Sequence, residues 1–211
     1  MVIAGAWNPA IVTPEWILRY GLEHEGGTDA PLRMSATVPA GIGLVVDMPR
    51  YTFEDMTFSV RPDALVLQTT ECSQESFARL EKIASNTLRH LTHTPVGGLG
   101  FNFDFIDDSP SPDSLAAFTL ANNSLVDHIP TNWSIATAAL VSSFARDSGI
   151  VNIQRVHHEG SVRIKFNFHY SVVTASACHA LLSTDPPNRP MWTDFQFAQS
   201  LINNLNPVQQ Q

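Results

Sequence analysis

The chain has 211 residues, enough for one large domain or two small ones with a substantial core. Its apolar fraction of 44% is ordinary, its charged fraction of 15% is low against the roughly 25% of a typical globular chain, and its net charge is −8. With only two lysines, Lys82 and Lys165, and no basic run, it lacks the electrostatic footprint of a duplex-nucleic-acid binder, and its acidic balance disfavours anionic membrane surfaces.

The first residues, Met1 to Trp7, carry neither a basic segment nor a long apolar stretch, so they do not read as a signal peptide. Thr13-Pro14-Glu15 is a helix start: a cap, a proline in the first turn and an acid near the positive end of the dipole. The short helix over Trp16 to Tyr20 fails at Gly21, and Glu23 to Pro31 reads as a loop. Leu32 to Val38 alternates as a half-buried strand, and Ile42 to Met48 is a second apolar run. Met56, Phe58 and Val60 alternate again, turn at Arg61-Pro62-Asp63 and return through Leu65-Val66-Leu67 as a hairpin.

Ser73 to His93 is the clearest helix, with Phe77, Leu80, Ala84, Leu88 and Leu91 on one stripe, Ser73 as cap and Thr94-Pro95 as stop. Phe101, Phe103 and Phe105 at period two make a strand with one apolar face. Ser111-Pro112-Asp113 starts a helix to about Val126. Ile135 to Phe144 reads as a strand. Ile150 to His157 then pairs with Val162 to Val172 across His158 to Ser161. In the latter strand Val162, Ile164, Phe166, Phe168 and Tyr170 face one way, and Arg163, Lys165, Asn167 and His169 the other. Trp192, Phe195, Ala198, Leu201 and Leu205 form a last amphipathic helix, stopped by Asn206-Pro207. No window approaches the ~18 apolar residues of a membrane span.

The pattern predicts an α+β fold: one compact domain over residues 1–211, a mainly antiparallel sheet and about four helices packed on it. Phe-Asn-Phe occurs at 101–103 and again at 166–168, which raises the alternative of two related halves, 1–108 and 109–211.

Six groups of residues invite a chemical reading beside a structural one. Asp104, Asp107 and Asp108 cluster at a strand end and could hold a divalent cation, although Asp and Ser there also make turns and caps. His90 and His93 lie three apart on a helix, a metal-ligand spacing without a third ligand. His157-His158-Glu159 has acid–base groups but no nucleophile. The same His-Glu-Gly phrase recurs at His24-Glu25-Gly26, where turn chemistry accounts for it. Gly97-Gly98-Leu99-Gly100 is glycine-rich but precedes a strand, whereas a phosphate loop follows a strand and opens a helix. Cys178-His179 read as strand neighbours, which point to opposite faces and make no dyad.

Two cysteines, Cys72 and Cys178, make no disulfide framework and read as reduced thiols, with the cytoplasm as the expected compartment. The expected function is a non-enzymatic subunit without a cofactor: an adaptor, immunity-type or shell component. It would pair with itself as a homo-oligomer or with another protein. Trp7, Trp133 and Trp192 are its candidate anchors. Two alternatives stand beside it: a small-ligand-binding domain, and a metal-dependent hydrolase using Asp104, Asp107 and Asp108.

Overall fold

Alternating side chains and short turns dominate this chain, and the computed structural model accordingly is an α+β fold built on an antiparallel sheet. The structure describes residues 1–23, 33–35, 50–118, 136–186 and 188–205, together with 128, 130, 132 and 133. The Ile42 to Met48 run and the His24-Glu25 pair lie outside them. So do the expected helix beyond Phe118 and the chain after Leu205. Among the described residues no helix is long and apolar enough to cross a membrane.

The strands are β1 (Val2–Gly5), β2 (Arg33–Ser35), β3 (Arg50–Phe53), β4 (Met56–Val60), β5 (Ala64–Thr69), β6 (Val96–Asp107), β7 (Thr137–Arg146), β8 (Gly149–His158) and β9 (Ser161–Tyr170). The helices are α1 (Pro14–Trp16), running into a π-helical turn (Ile17–Gly21), then α2 (Gln74–His90), α3 (Pro112–Ala116), α4 (Ala175–Leu182) and α5 (Pro190–Leu205). The chain forms two compact units. One comprises Met1–Phe101 with Tyr170–Thr193, the other Asn102–His169 with Asp194–Gln211.

In the first unit the strands lie in the order β2-β3-β4-β5-β1-β6. Cross-strand partners place Val60, Leu65, Ile3 and Leu99 in one row over four strands, all essentially buried. Tyr51, Phe58 and Leu67 make a second buried row. Burying each such side chain fully is worth about 1.5–3 kcal/mol. The hairpin turn at Arg61 is closed in both directions by Arg61 and Ala64 and braced by an Arg61–Asp63 ion pair at 3.0 Å. Helix α2 is capped by Ser73, whose Oγ accepts from Ser76 N–H at 3.1 Å, and buries Phe77, Leu80, Ala84 and Leu88. It ends at His90 rather than His93. Pro95 has no N–H to bond a carbonyl one turn back, and it disfavours a helical Thr94. Thr13 caps α1 with Pro14 in its first turn, and the π-helical turn is fixed where Asn86 Nδ2 donates to Gly21 O at 3.0 Å.

Gly5 is required by a close approach. Ala6 N–H donates to Pro95 O at 2.9 Å, and a Cβ on Gly5 would stand 2.3 Å from that same oxygen. Gly5→Ala is therefore expected to cost about 1–3 kcal/mol through overpacking against backbone that cannot rotate away. A lower urea midpoint at unchanged slope is the readout.

In the second unit the strand order is β6-β9-β8-β7. Strand β9 turns back from β8 through Glu159 (φ 48°) and Gly160 (φ 84°), the positive pair that a tight two-residue hairpin turn needs. Its apolar stripe, Val162, Ile164, Phe166 and Phe168, is buried as its alternation predicts. Phe103 and Phe105 of β6 pack on Phe168 and Phe166, each pair 5.8 Å apart, and Phe195 of α5 lies 5.4 Å from Phe103 and 5.9 Å from Phe105. Arg146 clamps the nearly buried carboxylate of Asp194 at 2.8 and 3.3 Å, with its guanidinium 5.3 Å from the centre of the Phe168 ring.

Candidate functional site

The acidic trio is not assembled. Asp104 and Asp107 are three apart on β6, so their side chains leave opposite faces, and Asp108 follows the strand end. Asp104 is held by Arg163 of β9, whose Nε donates to Oδ1 at 2.7 Å and whose Nη2 pairs with Oδ2. Asp107 Oδ1 accepts from Ser109 N–H at 3.0 Å, a turn-forming bond. Among the described residues no three His, Cys, Asp or Glu side chains gather closely enough to hold a metal ion. His90 lies 4.8 Å from the Tyr20 ring and 6.3 Å from that of Trp16, while His93 is exposed beyond the helix.

Two local readings need correction. Gly97, Gly98 and Gly100 lie inside β6 and not ahead of it. Gly98 pairs with Ala4 and Gly100 with Val2, so these residues serve the sheet. Cys178 and His179 belong to helix α4, not a strand. A small, apolar run after the Thr174 cap (Thr174 Oγ1 accepts from Ala177 N–H at 3.1 Å) is satisfied by helix packing. The Cys178 thiol is fully buried, which pushes its pKa up to about 12 and leaves it unreactive. His179 Nδ1 lies 2.8 Å from Ser85 Oγ and 3.1 Å from Ser85 O, with Ser183 Oγ 2.7 Å from Ser85 Oγ. This polar knot ties α4 to α2.

At the β8–β9 tip, His158 Nδ1 meets Thr137 Oγ1 at 2.9 Å and His157 lies 5.6 Å from the Phe118 ring. The three tryptophans part ways. Trp7 is 5% exposed and donates from Nε1 to Ile3 O at 3.0 Å, so it is core and not an anchor. Trp192 packs 6.2 Å from Phe77 and is half-buried. Trp133 is 65% exposed.

The polar face of the second unit carries an arrangement that no single motif announced. Ser143 Oγ donates to Asn152 Oδ1 at 2.7 Å, Asn152 Nδ2 to Asn167 Oδ1 at 3.1 Å, and Asn167 Nδ2 to Asn102 Oδ1 at 2.7 Å. The ladder crosses β7, β8, β9 and β6, and it sets the two Phe-Asn-Phe phrases side by side. Asn152 and Asn167 each use one donor and one acceptor along the row, so the ladder braces the sheet from its solvent side.

The ladder ends on β7, the outermost strand of this unit. β7 pairs with β8 without interruption from Thr137↔His158 to Arg146↔Gly149. Thr137, Ala139, Val141, Ser143 and Ala145, which share the ladder's face, are all exposed. Ser142 and Phe144 on the other face are exposed too. Val141 stands 67% and Phe144 55% exposed. No charge or proline occurs from Thr137 to Ala145. Among the described residues nothing pairs with the outer edge of β7. Sheet edges are ordinarily guarded by shortness, lysine, proline or a bulge, and this ten-residue strand, neutral from Thr137 to Ala145 and in unbroken register, has none of these. β2, outermost in the first unit, has three residues. No protein-family model, curated protein or solved structure matches this chain.

Proposed function

We propose that this chain is a non-enzymatic assembly or adaptor subunit that works through protein contacts at β7. The observation that carries the reading is the β7 edge, long, neutral and exposed on both faces with Val141 and Phe144 in solvent. Unpaired main-chain groups along such an edge take an added strand, and the flanking apolar side chains are the kind of surface that contacts remove from water. The low charge of the whole chain points the same way. The compartment proposed is the cytoplasm, supported by two free cysteines, one of them exposed.

The test is the native mass of the protein in an extract of its source cells, with wild type and Val141→Lys compared by size exclusion. The wild type is expected to elute well above the 23.2 kDa of one chain, and the variant to fall back to it. A wild-type protein that elutes as a free monomer would sink the reading.

A further inference from the structure

We infer that the strand received by β7 is β7 of a second copy of this chain, running antiparallel about a twofold axis at Ser142. The inference rests on the interaction-subunit reading above and names the partner. A twofold junction presents the same surface from both sides, so every charge on it confronts its own kind or must be offset. β7 meets that condition where an acidic chain of net charge −8 would otherwise repel its copy: Thr137 to Ala145 are all neutral. The one charge, Arg146, sits at the strand end and is already held by Asp194. Antiparallel pairing sends the two Arg146 residues to opposite ends of the junction, whereas parallel pairing would set them side by side.

The side chains favour the same arrangement. Leu140 and Phe144 are four apart and share one face, symmetric about Ser142. Antiparallel pairing centred there lays Leu140 of each copy against Phe144 of the other, an apolar cross-strand pair within contact reach. It covers the half-exposed phenylalanine twice. Ala138, Ala139, Ser143 and Ala145 add no bulk to hold the strands apart. Centred on Ser142, the nine residues from Ala138 to Arg146 overlap and give a contact roughly 30 Å long at the strand rise of ~3.3 Å per residue.

The experiment measures the purified full chain by sedimentation over a range of concentrations, beside Val141→Lys, Val141→Thr and a Ser142→Cys variant in a Cys72→Ser background. Val141 is exposed, so its replacements leave the fold intact, which circular dichroism checks. The wild type is expected at twice 23.2 kDa. Val141→Thr should remain dimeric, and Val141→Lys should dissociate at least about tenfold more readily, because the two lysines would stand diagonally across the axis, each opposite Ser143 of the other copy, and lysine guards an edge against pairing. Ser142→Cys should form a disulfide between copies under mild oxidation. A monomer when pure, with a cell-extract assembly that still depends on Val141, would overturn the second copy and leave the interaction reading standing. A monomer in both settings would overturn both. A dimer untouched by Val141→Lys and without the Ser142→Cys crosslink would place its interface elsewhere and overturn the inference.

Discussion

Glu81→Ala is expected to destabilise the protein by roughly 3–5 kcal/mol, the cost of breaking a buried charge pair from one side. The carboxylate of Glu81 stands on α2 at 0% exposure. Its Oε1 accepts from Met191 N–H at 2.9 Å and its Oε2 lies 3.4 Å from Arg189 Nη1. Met191 is the second residue of α5, so its N–H has no carbonyl within the helix to bond. Glu81 supplies that acceptor and sets a negative charge at the positive end of the α5 dipole. Alanine would strand the buried Met191 N–H and take the carboxylate from the Arg189 guanidinium, which would keep Ala78 O at 3.3 Å. Glu81→Gln keeps an acceptor for Met191 and loses only the charge, so its cost should be about 1–2 kcal/mol, that of weakening a charge-assisted bond to a neutral one. Urea unfolding of the three proteins separates these outcomes. Equal losses in the two variants would show that charge, not the cap, dominates, and a loss below about 1 kcal/mol in Glu81→Ala would refute the buried-pair account.

Glu81 was legible in part. It falls between Leu80 and Ala84 on the buried stripe of α2, four residues from Phe77, and a lone acid there must find a partner. Which partner follows from the return of the chain a hundred residues later, which no local pattern encodes. The same division runs through the molecule. Period-two alternation places Val162 to Tyr170 correctly because one face is buried and the other wet, and the caps at Thr13, Ser73 and Ser111 act as read because capping is a local bond. Glycines of β6 misled because they signal a loop locally, while in the sheet they pack against β1. Trp7 misled because an aromatic near a chain start gives no sign of being sealed by β-pairing around it. The Ser143–Asn152–Asn167–Asn102 ladder had a faint signal, asparagines at solvent-facing positions of three strands, but its meaning depends on strand order. Likewise, the lack of charge in Thr137 to Ala145 is plain in the sequence. That it matters follows only once β7 is known to lie at the edge.

Stability of the 211-residue chain is expected to rise by about 3 kcal/mol between pH 5 and pH 8 through its terminal amine alone. Met1 is 5% exposed, and its amino group donates to Leu67 O at 2.9 Å while Leu67 N–H donates to Met1 O at 3.0 Å. The terminus thus completes the β1–β5 ladder as an ordinary strand residue would. Burial without a counter-charge lowers its pKa from the usual 8.0 to about 5. Between those values the unfolded chain binds a proton that the folded chain rejects, so raising the pH through the window favours folding. Below pH 5 both states are protonated and the folded one holds a buried ammonium, the full penalty. Above pH 8 neither is protonated and the penalty is gone. The decisive measurement follows the Met1 nitrogen itself by NMR in the folded protein, together with urea unfolding at each pH. A midpoint near 5 with stability climbing to pH 8 is the expected pair of results. A midpoint near 8 would mean that water reaches the amine, and stability would then owe nothing to its burial. The sign is the informative part, since a carboxylate near the amine would reverse it by raising the amine's pKa, and the ladder offers the ammonium only a neutral carbonyl.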